Sequence, residues 1–140
     1  MTDAKQCWAN SKTTSIESCN DWTYGDTRSH IGVGFDRKKS WTYLYFSSSP
    51  NLTNDDTESG YNRVVVNIRF DGKVTKRFTM TQDWGSKFLH FRNDNSIKAA
   101  MRQYSTMLVE LEWYGCGRAY FEYDLTGATA KMSEARSLVR

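Results

Sequence analysis

The chain is poor in the residues that most chemistry needs. It has one proline, Pro50, two histidines, His30 and His90, and three cysteines among 140 residues. There is no Gly-x-Ser-x-Gly elbow, Ser-x-x-Lys context, phosphate loop, Gly-x-Gly-x-x-Gly or Cys-x-x-Cys, which argues against nucleophilic hydrolysis, nucleotide chemistry and dithiol redox work. Both histidines fall in predicted strands with no metal-ligating or acid–base partner placed beside them, so they read as ordinary strand residues. The expectation is a protein that is not an enzyme and uses no metal or cofactor. No apolar run reaches the roughly 18 residues that cross a bilayer. The start Met1-Thr-Asp-Ala-Lys-Gln-Cys7 lacks an apolar signal core, leaving a cytoplasmic protein, or a periplasmic or envelope one whose leader has been removed.

Charge of one sign is also scarce. The 19 basic and 16 acidic residues are interleaved, and Arg37-Lys38-Lys39 is the only basic triplet, too mild an excess to imply nucleic acid by itself. Cys7 and Cys19 could close a short loop and leave Cys116 between Gly115 and Gly117; three free thiols in a reducing compartment is the other reading. Asn51-Leu-Thr53 matches a glycosylation sequon, a triplet that often arises by chance. Asp55, Asp56 and Glu58 lack the spacing of an EF-hand loop and read as a solvated acidic stretch.

What the chain does have is alternation. Aromatic residues make up 14% of it, and set against polar partners they favour β structure. No linker or repeat divides the sequence, so residues 1–140 read as a single β-rich domain. Residues 11–29 look like loop with a short strand around Trp22. His30–Phe35 and Trp41–Phe46 are strands joined by a five-residue loop, Asp36–Ser40. Residues 47–60 have loop chemistry and should be the most mobile segment.

From Asn62 to Phe70, Val64, Val66, Ile68 and Phe70 face one way, while Val74, Lys76, Phe78 and Met80 share a face of the next strand. A two-residue Asp71-Gly72 turn would throw these sets onto opposite faces. The loop must therefore have an odd length, most simply three residues with Gly72 as the left-handed bulge. A strand over 87–92 follows, with Trp84 and Gly85 in the turn before it. Asn93-Asp-Asn-Ser then starts a short crossover helix with Ile97, Ala100, Met101 and Tyr104 on its apolar side. Strands with Met107, Val109, Leu111 and Trp113, and with Ala119, Phe121, Tyr123 and Leu125, are joined by a Gly115-Cys116-Gly117 loop. A closing amphipathic helix, capped near Thr126, carries Ala128, Met132, Ala135 and Leu138 or Val139.

Two sets of residues are candidate contacts. Trp41, Tyr43 and Tyr45 line one face of their strand and Thr42, Leu44 and Phe46 the other, so one set enters the core. The row Trp41, Tyr43, Tyr45, if open beside Arg37, Lys38 and Lys39, would stack on sugars or unpaired bases or serve a protein interface; otherwise a loop or helix covers it. The second set is acidic. If Tyr114 pairs with Arg118, Glu110 lies directly opposite Glu122, a repulsive arrangement that calls for a basic neighbour such as Arg77 or Lys87, a bound cation or a basic partner.

The succession Asn67-Ile-Arg-Phe-Asp71-Gly72, the strand ending in Phe78, Phe88-Leu-His-Phe91, a short helix, the 108–114 strand and Phe121-Glu-Tyr-Asp-Leu-Thr-Gly127 before a closing helix resembles a broad bacterial group. That group comprises accessory proteins associated with type VI secretion and related small envelope and phage-borne proteins. The resemblance spans about residues 61–140. It implies a β-sandwich with peripheral helices, and no catalytic motif comes with it.

The expectation is therefore a mainly β fold, an antiparallel β-sandwich or bent sheet of seven to nine strands with one crossover helix and a C-terminal amphipathic helix. Its function would be non-enzymatic macromolecular interaction by a bacterial or phage-borne protein, most simply with a protein partner, a secretion or envelope accessory being one form of it. Saccharide or single-stranded nucleic-acid binding is the alternative, and a phage-encoded inhibitor of a bacterial defence enzyme a further one.

Overall fold

The computed structural model describes residues 27–115 and 117–137, together with the backbone of Lys5–Ala9 and Ser11–Thr14. The predicted strand around Trp22, the Cys7–Cys19 pairing, Cys116, and Leu138 and Val139 of the closing helix lie outside the described residues or side chains. The strands in chain order are β1 Lys5–Ala9, β2 Ser11–Thr14, β3 Ser29–Phe35, β4 Ser40–Phe46, β5 Asp56–Thr57, β6 Tyr61–Phe70, β7 Val74–Asp83, β8 Phe88–Phe91, β9 Thr106–Trp113 and β10 Gly117–Asp124. Among the described residues there are also two helices, α1 Asp94–Gln103 and α2 Ala128–Ser137.

Every pairing is antiparallel, in the order β1-β3-β4-β8-β7-β6-β9-β10-β2, with β5 paired to β6 outside that path. The fold is thus a strongly bent sheet. It curls far enough that strands from opposite halves of the order meet: Ser29 Oγ on β3 and Tyr123 OH on β10 are 2.5 Å apart and buried. Burial pushes the Tyr123 phenol well above its usual range, partly opposed by this hydrogen bond, so the hydroxyl stays neutral across the interior.

Period-two alternation decides which face turns inward. On β6, Val64, Val66, Ile68 and Phe70 are buried while Val65, Asn67 and Arg69 are exposed, and β9 and β10 repeat the pattern with Met107, Val109, Leu111, Trp113, Ala119, Phe121 and Tyr123. Phe46, Trp113 and Phe121 form the aromatic centre, with ring centroids 5.1–6.0 Å apart. Each such ring contributes about 1.5–3 kcal/mol by leaving water. Helix α1 closes one part of the concave face with Ile97, Ala100 and Met101, and α2 another with Ala128, Met132 and Ala135. Asn93 caps α1 by accepting the Ser96 amide at 3.1 Å, as its sequence cluster predicts. No helix among the described residues is long and apolar enough to cross a membrane.

The β6–β7 loop has three residues: Phe70 pairs with Val74, and Asp71 and Gly72 both take left-handed backbone, with φ of 52° and 69°. Asp71 also ties this hairpin to the start of β9, its Oδ1 accepting the Ser105 and Thr106 amides, each at 2.9 Å.

Elsewhere the structure corrects the expected boundaries. Residues 11–14 form a strand rather than loop. The β3–β4 loop has four residues instead of five, because Phe35 pairs with Ser40 and Asp36 closes the turn, donating its amide to Lys39 O at 2.9 Å. Residues 47–60 are loop as expected apart from the short strand β5 and a bridge from Leu52 to Trp113, and they also touch the sheet through hydrogen bonds. Tyr114 N donates to Asn51 O and Gln82 Nε2 to Pro50 O, both at 2.8 Å, and Leu52 is buried against the core.

Candidate functional site

The β3–β4 register settles how the aromatic row is seated. Thr42, Leu44 and Phe46 enter the core, which leaves Trp41, Tyr43 and Tyr45 on the outer face opposite Gly34, Gly32 and His30. The row is not open to solvent throughout: Tyr43 is buried, and Trp41 and Tyr45 are half-buried. Its rings lie across β3, where the two glycines leave room. A Cβ built at Gly32 would sit 2.5 Å from Tyr43 Cζ, and one at Gly34 would sit 2.3 Å from Trp41 Cε2. At the third position the partner is itself a ring: His30 stacks on Tyr45 at 4.9 Å.

On its other side β4 pairs with β8, which adds Phe88 and His90 to the same surface. Phe88 meets Tyr43 edge-on at 5.4 Å and Tyr45 at 5.2 Å. Tyr43, hemmed by both strands, is 3% exposed; Phe88 is 37% exposed, and Trp41, Tyr45, His30 and His90 are partly buried. The result is six rings paving three adjacent strands. Burial lowers the pKa of His30, and burial lowers that of His90 against the opposing effect of Asp83, so both imidazoles are held toward the neutral form.

The basic triplet does not join this surface. Asp36 Oδ1 accepts the amides of Lys38 and Lys39 at 2.8 and 2.7 Å, fixing the turn. Arg37, Lys38 and Lys39 instead border a depression of about 850 Å³ on the helix side of the sheet, together with Asn95, Lys98 and Arg136. Its floor is a polar network. Lys98, 6% exposed, lies 3.0 Å from Asp94 Oδ2; Thr42 Oγ1 donates to Asp94 Oδ1 at 2.6 Å; and Ser40 Oγ bridges Lys98 and Asp94. Burial raises the Asp94 pKa, but the hydrogen bonds from Ser40, Thr42 and Lys98 and the Lys98 charge outweigh it, so the carboxyl lies below its ordinary range.

The acidic pair is not a pair. Gly117 pairs with Trp113, so the β9–β10 loop comprises residues 114–116, and Glu110 faces Tyr120 while Glu122 faces Leu108. The predicted register is off by two residues, a shift that leaves the inward face unchanged because side chains repeat every second position. Gly117 makes the shift possible by taking φ of 83° at the first paired position. The change replaces a repulsion with compatible neighbours: Tyr120 OH donates to Glu110 Oε2 at 2.9 Å, and Arg118 sits opposite Glu112.

Several residues outside the two candidate sets build these surfaces. Gly32 and Gly34 seat the rings, Phe88 and His90 extend them, and Ser40, Thr42, Asp94 and Lys98 form the floor of the depression. A usable signal was present in Gly-x-Gly set against Trp-x-Tyr across a short hairpin, and in Asp94 and Lys98 at helical i,i+4 spacing. Among the described residues no group of three or more His, Cys, Asp or Glu side chains could hold a metal ion. No family model, no curated protein and no solved structure matches the chain.

Proposed function

We propose that this is a non-enzymatic interaction protein, bacterial or phage-borne, that docks another protein through the outer face of β3, β4 and β8. The observation that carries the reading is the ring pavement itself: Tyr43 is immobilised between Gly32 and Phe88 and surrounded by the partly exposed rings of His30, Trp41, Tyr45, Phe88 and His90. Rigid aromatic side chains lose little rotamer entropy on binding and supply large contact areas, which is why interface hot spots favour them. Single-stranded nucleic acid needs cations and rings in one groove. Here Arg37, Lys38 and Lys39 border the helix-side depression, so a protein partner fits the ring face better. A role as a secretion or envelope accessory, in line with the sequence resemblance, belongs to the same proposal.

The test places a photo-crosslinking amino acid at Tyr45, at Phe88 and, as a control, at Glu134 on the exposed side of α2. One protein crosslinked in bacterial cells from Tyr45 and Phe88 but not from Glu134 supports the reading, provided that Trp41→Ala/Tyr45→Ala removes it and leaves the circular dichroism unchanged. Equal crosslinking from all three positions, or binding of the ring face to glycans with no protein crosslink, overturns it.

A further inference from the structure

The depression beside α1 lies apart from the ring face and shares none of its rings. Among the described residues its lining includes five basic side chains, Arg37, Lys38, Lys39, Lys98 and Arg136, and two acidic ones, Asp36 and Asp94, an excess of three positive charges. The two carboxylates are already engaged. Asp36 is bound to the turn amides, which pull its pKa down, and Asp94 is bound to Lys98, Ser40 and Thr42. Lys98 is likewise taken up by Asp94. No salt bridge joins Arg37, Lys38, Lys39 or Arg136 to a carboxylate among the described residues.

Four cationic side chains therefore face one concavity from two elements, the β3–β4 turn and α2, above a floor held rigid by the buried network. Like charges gathered this way repel one another, and an anion between them relieves the repulsion. The geometry points to a binding site for a small polyvalent phosphate, of the pyrophosphate or tripolyphosphate class. Two arginines on different walls can each present a fork of N–H donors to phosphoryl oxygens, while Lys38 and Lys39 add point charges and Asn95 a neutral amide. The volume of about 850 Å³ suits a small molecule and is within the usual 300–1,000 Å³ of such sites. A nucleic-acid strand would need a long basic track, whereas the cations lining this depression come from one turn and two helices, a footprint suited to a compact anion.

Titration calorimetry with pyrophosphate and tripolyphosphate, with citrate as an anion of similar charge, tests the site on the full chain. Tripolyphosphate should bind more tightly than citrate and weaken as salt is raised. Arg37→Ala and Arg136→Ala should each weaken it by about tenfold or more. Both changes are at exposed residues outside the floor network. Nuclear magnetic resonance should show the Asn95 side-chain amide and the 37–39 amides shifting together, with Phe88 and His90 unaffected. Equal affinity for citrate and tripolyphosphate, unchanged affinity in both arginine variants, no binding at millimolar phosphate in low salt, or tighter binding of a single-stranded oligonucleotide would each overturn the assignment. Loss of the ring-face partner in the crosslinking experiment would leave this result unaffected.

Discussion

Gly32→Ala is the sharpest probe of how the ring face is built. The added Cβ would lie 2.5 Å from both Tyr43 Cζ and OH and 2.9 Å from Cε2, so the ring or strand must move by roughly 1 Å to restore ordinary contact. Tyr43 has little room to yield, because Phe88 meets it edge-on at 5.4 Å and His90 lies 6.1 Å away. Overpacking of this kind costs about 1–3 kcal/mol, which for a domain of this size lowers Tm by about 3–10 °C. Gly34→Ala makes an informative contrast. Its clash is with Trp41, a partly exposed ring next to the β3–β4 turn that can swing toward solvent, and alanine is about 0.5–1 kcal/mol better than glycine within a strand. That variant should be near neutral. Urea denaturation of Gly32→Ala, Tyr43→Ala and the double variant measures the coupling, expected at about 1–3 kcal/mol, with Gly32→Ala neutral or stabilising once the ring is gone. If Gly32→Ala costs the same in both backgrounds, Tyr43 does not sit on Gly32 and the account of the ring face fails.

Three further outcomes follow from the polar groups. Asp94→Ala leaves the Lys98 ammonium, 6% exposed, without its carboxylate and should cost about 3 kcal/mol in urea denaturation, whereas the double change with Lys98→Met should recover most of the loss; a cost within experimental error would refute the network. Stability should fall with acid in two stages. His30 and His90 have folded pKa values below 6.5 and Asp71 and Asp94 below 3.8, so the unfolded chain binds more protons in each window. Their contributions are complete above the unfolded values and are lost as pH falls through the folded ones, first below pH 6.5 and again below 3.8. Thermal melts of a His30→Gln/His90→Gln variant should lack the first stage, and an unchanged profile would contradict it. Finally, Glu110→Gln weakens the bond from Tyr120 and should destabilise by about 0.5–1.5 kcal/mol, whereas a Glu110–Glu122 repulsion would make the same change stabilising.

The faces of the sheet were legible in the sequence because alternation is local: each of Val64, Val66, Ile68 and Phe70 is assigned by its neighbours two positions away. The odd length of the Asp71-Gly72 loop is legible for the same reason, since an even loop would turn Phe78 and Met80 away from the core. Parity has a blind spot, however. A shift of two residues preserves every face, and that is the error at β9–β10, where burial is correct at every inward position and yet Glu110 faces Tyr120 instead of Glu122. Gly115 and Gly117 both take left-handed backbone, at φ of 85° and 83°, so the glycine pattern alone fits either register.

The candidate sites were less legible because they depend on which strands become neighbours. Ser40 and Asp94 are 54 residues apart, and Thr42 and Asp94 are 52 apart. Nothing local to either segment reports that α1 starts over the β4 turn. The same dependence corrects the meaning of the aromatic row. Taken alone, Trp41, Tyr43 and Tyr45 are three rings beside three cations, a pattern suited to sugars, unpaired bases or a protein interface. Once β4 lies between β3 and β8, glycines seat the rings from one side and Phe88 and His90 join them from the other, while the turn carries Arg37, Lys38 and Lys39 to the helix side. The strand order thus divides one apparent binding motif into two surfaces of different chemistry, one aromatic and one cationic. Substitutions in one should leave ligand binding at the other intact.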